Sequence, residues 1–210
     1  MNATGLMLAI AGAALLSGCG GRAEMAAPAA PTASPSWRTI ATAADRTRLR
    51  NWRETWMQAL AKARAGGKGA QIAAQGVLLQ PDAALADPAP APGDYRCRVI
   101  KVGAQAPGGL DYVAYPPFRC RVAMEGDILS LTKVDGSQRP VGLLFPADSQ
   151  RMIFLGTMML GDERMALDYG RDPERDMAGA LERVGPQRWR LVLPRPRWES
   201  LLDVVELVPA

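Results

Sequence analysis

The sequence contains no histidine, and this absence excludes several classes of enzyme. Ser-His-Asp and Cys-His catalysis are excluded, because both use an imidazole to take the proton from the nucleophile. Zinc sites with histidine ligands and general base catalysis by histidine are excluded as well, because both need an imidazole. Few enzymatic designs remain, so we expect a non-enzymatic protein with no cofactor, no metal ion and no catalytic residue.

A serine with a lysine base needs no histidine, and Ser130-Leu-Thr-Lys133 matches the S-x-x-K motif. In the penicillin-recognising enzymes this motif opens a helix, which brings the amine close to the serine oxygen. Here the motif lies in a run with strand character, where residues three apart point to opposite faces. No S-D-N or K-T-G companion follows. We therefore interpret the match as a coincidence.

Lysine is scarce: the chain has 21 arginines and 4 lysines, and its formal net charge is +4. In a cytosolic protein this balance would suggest nucleic-acid binding. The export signal described next argues against a nucleic acid and leaves anionic lipid head groups or an acidic protein as partners. Codon composition alone is a second explanation of the arginine excess.

No hydrophobic run is long enough to span a membrane, and the longest lies at the N-terminus. The uncharged run from Leu6 to Leu16 suits a signal peptide and is shorter than the roughly 20 residues that span a membrane. Leu16-Ser17-Gly18-Cys19 then matches a lipobox, in which the cysteine thiol receives a diacylglycerol. We predict a signal peptide over residues 1–18 and lipidation of Cys19. One departure is that no lysine or arginine precedes the run.

The residues after the lipobox indicate where such a lipoprotein would reside. Gly20, rather than aspartate, follows the cysteine, which favours the outer membrane in Gram-negative sorting. Residues 19–36 lack periodicity and are predicted to form the lipidated cysteine and a flexible tether. We expect a lipid-anchored protein of the bacterial cell envelope that faces the periplasm.

Two cysteines remain, Cys97 and Cys120. An even pair in an oxidising compartment is most simply a disulfide, although two free redox thiols flanked by arginines are an alternative. Both cysteines lie in pentapeptides that alternate apolar and cationic residues, as half-buried strands do. A hairpin about Gly108 and Gly109 predicts three facing pairs: Cys97 with Cys120, Tyr95 with Val122, and Val99 with Phe118.

Residues 37–93 are predicted to be a helical segment followed by a proline-rich linker. Thr42-Ala-Ala-Asp45 resembles a capping box, and apolar residues then recur at helical spacing down to Gly66. A second short helix is predicted from Gly69 to Gln75. Trp52 and Trp56 of the first helix either cover one side of the following domain, which we favour, or lie among lipid head groups.

Residues 94–210 are predicted to be an antiparallel β-domain, because alternating apolar runs follow one another between turn signals. Glu125-Gly126-Asp127 and Asp135-Gly136 are strong hairpin signals. The candidate strands are Tyr95 to Val102, Leu110 to Tyr115, Phe118 to Met124, Ile128 to Val134, Arg139 to Phe145, Arg151 to Leu160, Gly179 to Val184, Arg188 to Leu193 and Leu202 to Val208. So many strands in so few residues suit a small barrel or a strongly bent sheet.

A candidate polar site consists of Arg139, Asp162, Glu163, Arg175 and Asp176. Six carboxylates fall between residues 162 and 176, so a paired acid and base or a calcium site is conceivable. Their spacing does not match a calcium-binding loop, and arginines are interleaved with them. We favour surface ion pairing, with Arg139 meeting Asp162 or Glu163 as a structural pair.

Several segments together resemble an uncharacterised family of bacterial envelope proteins, catalogued as domain of unknown function 4893. They are Tyr95-Arg-Cys-Arg-Val with Lys101 and Gly103, Phe118-Arg-Cys, Thr132-Lys133 with Gly136-Ser-Gln-Arg-Pro140, Phe154-Leu-Gly-Thr157 with Leu160-Gly-Asp-Glu163, and Arg188-Trp-Arg-Leu-Val with Pro194 and Pro196. The resemblance runs from about Trp37 to Pro209. It implies an envelope address and the paired cysteines, and it brings no known activity, substrate or catalytic residue.

The expected fold class is α+β, with an N-terminal helical segment packed on a mainly antiparallel β-domain that contains one disulfide. The expected function is binding or scaffolding in the envelope by a monomer that is attached to the membrane through its N-terminal lipid. Its partner would be an envelope protein or a small apolar ligand. A barrel-type protease inhibitor and a carboxylate-based periplasmic hydrolase are the alternatives.

Overall fold

The computed structural model describes residues 36–210. The predicted signal peptide of residues 1–18, the lipidation of Cys19 and all but the last residue of the tether lie outside the described residues. Among the residues described, no helix is both long enough and apolar enough to cross a membrane.

Short helices precede the sheet. They are α1 (Trp37–Ile40), α2 (Ala43–Arg50), α3 (Trp52–Ala65), α4 (Gly69–Ala73) and a 3₁₀ turn (Gly76–Leu79). Thr42 caps α2, since its hydroxyl accepts a hydrogen bond from the Asp45 amide at 3.2 Å. The sequence predicted one helix through this region, whereas the structure divides it at Asn51, whose φ of −95° and ψ of 13° leave the helical range.

In the described part of the chain, nine antiparallel strands form one sheet. They are β1 (Gly93–Ala104), β2 (Tyr112–Ala114), β3 (Phe118–Glu125), β4 (Ile128–Lys133), β5 (Gln138–Pro146), β6 (Arg151–Leu160), β7 (Asp176–Gly185), β8 (Arg188–Pro194) and β9 (Ser200–Pro209). The strand order is β2-β1-β3-β4-β5-β6-β7-β8-β9, and β9 also pairs with β1. The sheet therefore closes into an eight-stranded barrel, with β2 as an extra strand beside β1. The α+β class and the barrel are confirmed.

The disulfide joins Cys97 of β1 to Cys120 of β3 across a Cα–Cα distance of 5.9 Å. The predicted facing pairs are wrong by two residues, because Cys97 lies opposite Phe118, and Tyr95 lies opposite Cys120. The simple hairpin fails because the returning chain first pairs as β2 and is then interrupted by Pro116-Pro117, which cannot donate to a ladder. A shift of the β1–β3 pairing by two residues keeps both cysteines on the inner face. The disulfide therefore joins diagonal positions of the two strands and not directly facing ones.

The barrel interior is filled by side chains. Its core contains the disulfide and the buried rings of Tyr95, Phe154 and Trp189, and Tyr95 and Trp189 meet edge to face with ring centroids 5.9 Å apart. Two further apolar clusters lie on the outer face. One is formed by α3, α4 and the 3₁₀ turn over β1, β8 and β9, and the other by the segments around α1 and α2 over β5, β6 and β7.

Alternating charges cross five strands on the outer face. In register they are Arg151 of β6, Glu182 of β7, Arg190 of β8, Glu206 of β9 and Arg98 of β1. We call this row the charge ladder. Its first three residues lie beneath the helices, where Glu182 and Arg190 are fully buried, whereas Glu206 and Arg98 lie nearer solvent. Opposite charges on facing strands stabilise the pairing.

Arg190 fastens the helical segment to the barrel. Its guanidinium contacts Glu182 at 2.7 Å and donates to the carbonyl oxygens of Val77 at 2.7 Å and Gln80 at 2.6 Å. It also stacks over the ring of Trp56, 4.5 Å from the centroid. The tryptophan-bearing helix therefore packs on the barrel, as the favoured interpretation of the sequence expected.

Candidate functional site

One end of the barrel is open to solvent. We call it the barrel mouth and define it by Lys101, Lys133, Gln138, Trp198, Glu199 and Asp203. Two clefts of about 730 Å³ and 420 Å³ adjoin there and share Lys101, Tyr115, Gln138 and Glu199 in their walls. A third, more enclosed cavity, whose walls also include Lys101 and Gln138, measures only about 30 Å³. The two clefts at the mouth thus have room for a ligand, whereas this cavity does not, and side chains fill the barrel interior.

Lys101 lies on the inward-facing side of β1, near the barrel mouth, and two carboxylates neutralise its charge. Its ammonium is 2.8 Å from Asp203 and 3.3 Å from Glu199. Burial lowers the pKa of Lys101, but the two carboxylates outweigh burial and raise it overall. Burial raises the pKa of Asp203 against the opposing effect of Lys101, and Ser200 donates a further hydrogen bond to this carboxylate.

Lys133 is the last residue of β4, on the inward-facing side, and its environment differs from that of Lys101. Its ammonium is 4.3 Å from the centroid of the Phe118 ring, and burial lowers its pKa. Asp135 is near but is bound by Arg119 at 3.2 Å. Among residues 36–210, no carboxylate oxygen lies within 4 Å of the Lys133 ammonium. The smaller cleft thus contains a half-buried cation without an ion pair.

The larger cleft has an apolar rim. Leu110 is 71% exposed, Tyr115 is 40% exposed and Trp198 is 39% exposed, and Val113 and Leu160 also line the cleft. Exposed apolar side chains that cluster around a concave surface are typical of binding sites. The mouth therefore combines an apolar surface with an adjoining polar cleft that contains Lys133.

The predicted polar site is only partly assembled. Arg139 donates to the carbonyl oxygens of Gly136, Gly161 and Glu163 at 2.7–2.8 Å and thereby joins two turns. The predicted side-chain pair with Asp162 or Glu163 does not form, because these backbone acceptors occupy the guanidinium. Asp162 is exposed.

Glu163 and Arg175, two other residues of the predicted site, form an ion pair at 2.6 Å. Hydrogen bonds from the Leu160 amide and from Arg175 hold the pKa of Glu163 below its usual value. Asp172 lies 3.5 Å from the same guanidinium, and Arg197 binds Glu174. This part of the acidic loop is therefore an arginine-paired surface, as the favoured interpretation expected.

Asp176 is separate from this surface, at the start of β7. It is buried, accepts a hydrogen bond from the Gly170 amide at 2.9 Å, and its pKa is raised by burial. Nearby, the Tyr169 hydroxyl donates to the buried carboxylate of Asp45, to which Arg48 also binds. These contacts attach the acidic loop to α2.

Ser130 and Lys133, the S-x-x-K match, lie in strand β4. The Ser130 hydroxyl is buried and directed at the Ala123 carbonyl oxygen at 3.5 Å, whereas Lys133 lines the mouth. Within residues 36–210, no group of three or more Asp, Glu or Cys side chains is arranged to hold a metal ion.

Sequence reasoning missed the mouth residues, although a signal for them exists. Tyr95, Cys97 and Val99 alternate on the inner face of β1, and the next inward position is Lys101. The same alternation leads to Lys133 along β4 and to Asp203 along β9. A charged residue that continues an apolar face at the end of a strand indicates a polar opening.

The fold and the mouth define a class of protein: a closed antiparallel β-barrel with a filled, disulfide-containing interior and an amphipathic cleft at one end. A family model described as Domain of unknown function (DUF4893) matches residues 37–207. The chain belongs to this family, which confirms the resemblance noted from its motifs. No curated protein and no solved structure matches the chain.

Proposed function

We propose that this protein is a non-enzymatic, lipid-anchored binding protein of the bacterial envelope whose binding site is the barrel mouth. The observation that carries the proposal is the cleft of about 730 Å³ with exposed apolar side chains at its rim. Small-molecule sites are typically clefts of roughly 300–1,000 Å³ with apolar walls and a few polar groups. The mouth has this size and composition.

A ligand in the centre of the barrel has less support than a ligand at the mouth. Phe154, Leu181 and Leu191 fill the interior together with the disulfide. The more enclosed cavity of about 30 Å³ would hold little more than a water molecule. These observations support a binding site at the surface, where a ligand can enter without opening the barrel.

The envelope address rests on the N-terminal sequence. The lipobox that ends at Cys19 follows a hydrophobic run, and the disulfide of the barrel agrees with an oxidising compartment. Mass analysis of membrane fractions is expected to find Cys19 diacylated, and Cys19→Ala is expected to release the protein from membranes. A soluble wild-type chain that retains Met1 would contradict this address.

Site-specific photo-crosslinking in living cells tests the binding site. Benzoylphenylalanine at Leu110 would lie at the rim of the cleft, whereas the same group at Met57, 43% exposed on α3, provides a control outside the mouth. We expect a small-molecule adduct from position 110 and none from position 57. Equal labelling from both positions, or none from either, would contradict a ligand site at the mouth. A protein adduct from position 110 would instead support the scaffolding role.

A protease inhibitor is the second candidate, and one observation favours it. Met165 is 83% exposed in the loop between β6 and β7, so this loop presents an apolar side chain that a protease cleft could accept. A hydrolase has weaker support, because arginines bind Glu163, Asp172 and Glu174. Inhibition of a periplasmic protease that is abolished by Met165→Asp would favour the inhibitor over the mouth ligand.

A further inference from the structure

We infer that the barrel mouth binds a free single-chain amphiphile, whose anionic head group contacts Lys133 and whose chain lies against Leu110 and Trp198. The inference rests on the proposed function and specifies its ligand. It is carried by the juxtaposition of an unpaired cation in one cleft with an apolar rim around the next.

The charge of the mouth favours an anion at Lys133. The two carboxylates that share the smaller cleft each have a cation of their own, since Glu199 is 3.3 Å from Lys101 and Asp135 is 3.2 Å from Arg119. Arg139 adds positive charge near Lys133, and its guanidinium contacts carbonyl oxygens. An incoming carboxylate or phosphate would therefore complete an ion pair without displacing one.

The position of Lys133 strengthens this argument. Its ammonium lies on the Phe118 ring and its side chain is half-buried, so it has lost part of its hydration without gaining a counter-ion. A cation in such a site gains more from an anionic ligand than a fully hydrated surface lysine does. Lys68, at the turn before α4, lines none of the clefts at the mouth and serves as the comparison.

The two clefts are arranged for one elongated molecule. Because they share Tyr115 and Gln138, a ligand bound at Lys133 can continue into the larger cleft without leaving the surface. There the side chains of Leu110, Leu160 and Trp198 offer apolar contacts. A single chain fits this path, whereas a membrane lipid would have to leave its bilayer to reach the same groups.

Calorimetric titration of the chain carrying Cys19→Ala, which has no acyl chain of its own, tests the inference. The probes are decanoate and decyltrimethylammonium below their micellar concentrations, which have the same chain length and opposite charge. We expect decanoate to bind about tenfold or more tightly than decyltrimethylammonium, as for a charge-assisted contact. Lys133→Met is expected to weaken decanoate binding about tenfold, Lys133→Arg to restore most of the affinity that the methionine variant loses, and Lys68→Met to leave binding unchanged.

The outcomes separate this inference from the proposed function. If both probes bind equally and Leu110→Ser weakens both, the mouth remains the binding site and the anionic head group is wrong. If position 110 captures a small molecule in cells but decanoate does not bind, the amphiphile is wrong and the proposed function stands. Binding to phosphatidylglycerol vesicles without binding to free decanoate would also overturn the inference. If crosslinking is silent and neither probe binds, both proposals fall.

Discussion

Removal of the negative charge from the buried part of the charge ladder is expected to be strongly destabilising. Glu182 accepts from Arg190 at 2.7 and 2.8 Å and from Arg151 at 2.6 Å, and no part of its side chain is exposed. Glu182→Gln keeps the shape but leaves two arginines without their shared counter-ion. Loss of one partner of a buried ion pair costs about 3–5 kcal/mol. A domain is typically stable by about 5–15 kcal/mol, so the loss would be a large fraction of the total.

The ladder itself provides a matched control. Glu206 also lies between two arginines, at 2.7 Å from Arg98 and 2.6 Å from Arg188, but these arginine side chains are 28% and 35% exposed. Glu206→Gln is therefore expected to cost about 1 kcal/mol. Urea unfolding followed by tryptophan fluorescence measures both free energies, and the melting temperature of Glu182→Gln should fall by roughly 6–20 °C. Costs that agree within about 1 kcal/mol would refute the argument from burial.

Three further predictions follow from the fold. Reduction of the bond between Cys97 and Cys120 should lower the free energy of unfolding by roughly 3.5 kcal/mol, and a melting temperature indifferent to reductant would contradict the bond. Burial and a carboxylate acceptor raise the pKa of Tyr169 to about 12, so between pH 10 and 12 this tyrosine ionises in the unfolded chain first and the free energy of unfolding falls. Tyr169→Phe should make this fall with pH shallower, and equal slopes of unfolding free energy against pH in the two proteins would contradict the prediction. Gly156→Ala should lower the free energy of unfolding by about 1–3 kcal/mol, because a Cβ there would lie 2.3 Å from a backbone oxygen. Gly69→Ala is the control, since a Cβ at Gly69 would meet open space. Equal melting temperatures of the two variants would refute this close packing.

Much of the fold could be predicted from local signals. The hairpins at Gly126 and Gly136 were read from the sequence, and both glycines have positive φ in the structure. The cysteine pairing followed from the number of cysteines and the expected compartment. Closure of the barrel could be expected only as one of two possibilities, because the pairing of β1 with β9 joins residues far apart in the chain and no local pattern encodes it.

The errors have identifiable physical causes. The β1 to β3 register could not be placed correctly, because β2 and Pro116-Pro117 intervene and a hairpin argument assumes an unbroken return. The density of charge between residues 162 and 176 predicts a polar site, but charges close in sequence mostly neutralise one another. At the mouth, Lys101 and Lys133 are brought together by strands that are not adjacent in the sequence. The informative feature of each lysine is its place at the end of an otherwise apolar inward-facing row of its strand, and not a local density of charge.

The pairing of the first strand with the last has a consequence for biosynthesis. Lys101 can bind Asp203, and Arg98 can bind Glu206, only when β9 (Ser200–Pro209) is present. A nascent chain that ends before Ser200 would leave both edges of the sheet unpaired and a lysine facing the core without its counter-ion. Contacts between such distant residues slow folding. The barrel therefore closes only once β9 has been made, and loss of this one strand would damage the fold more than its length suggests.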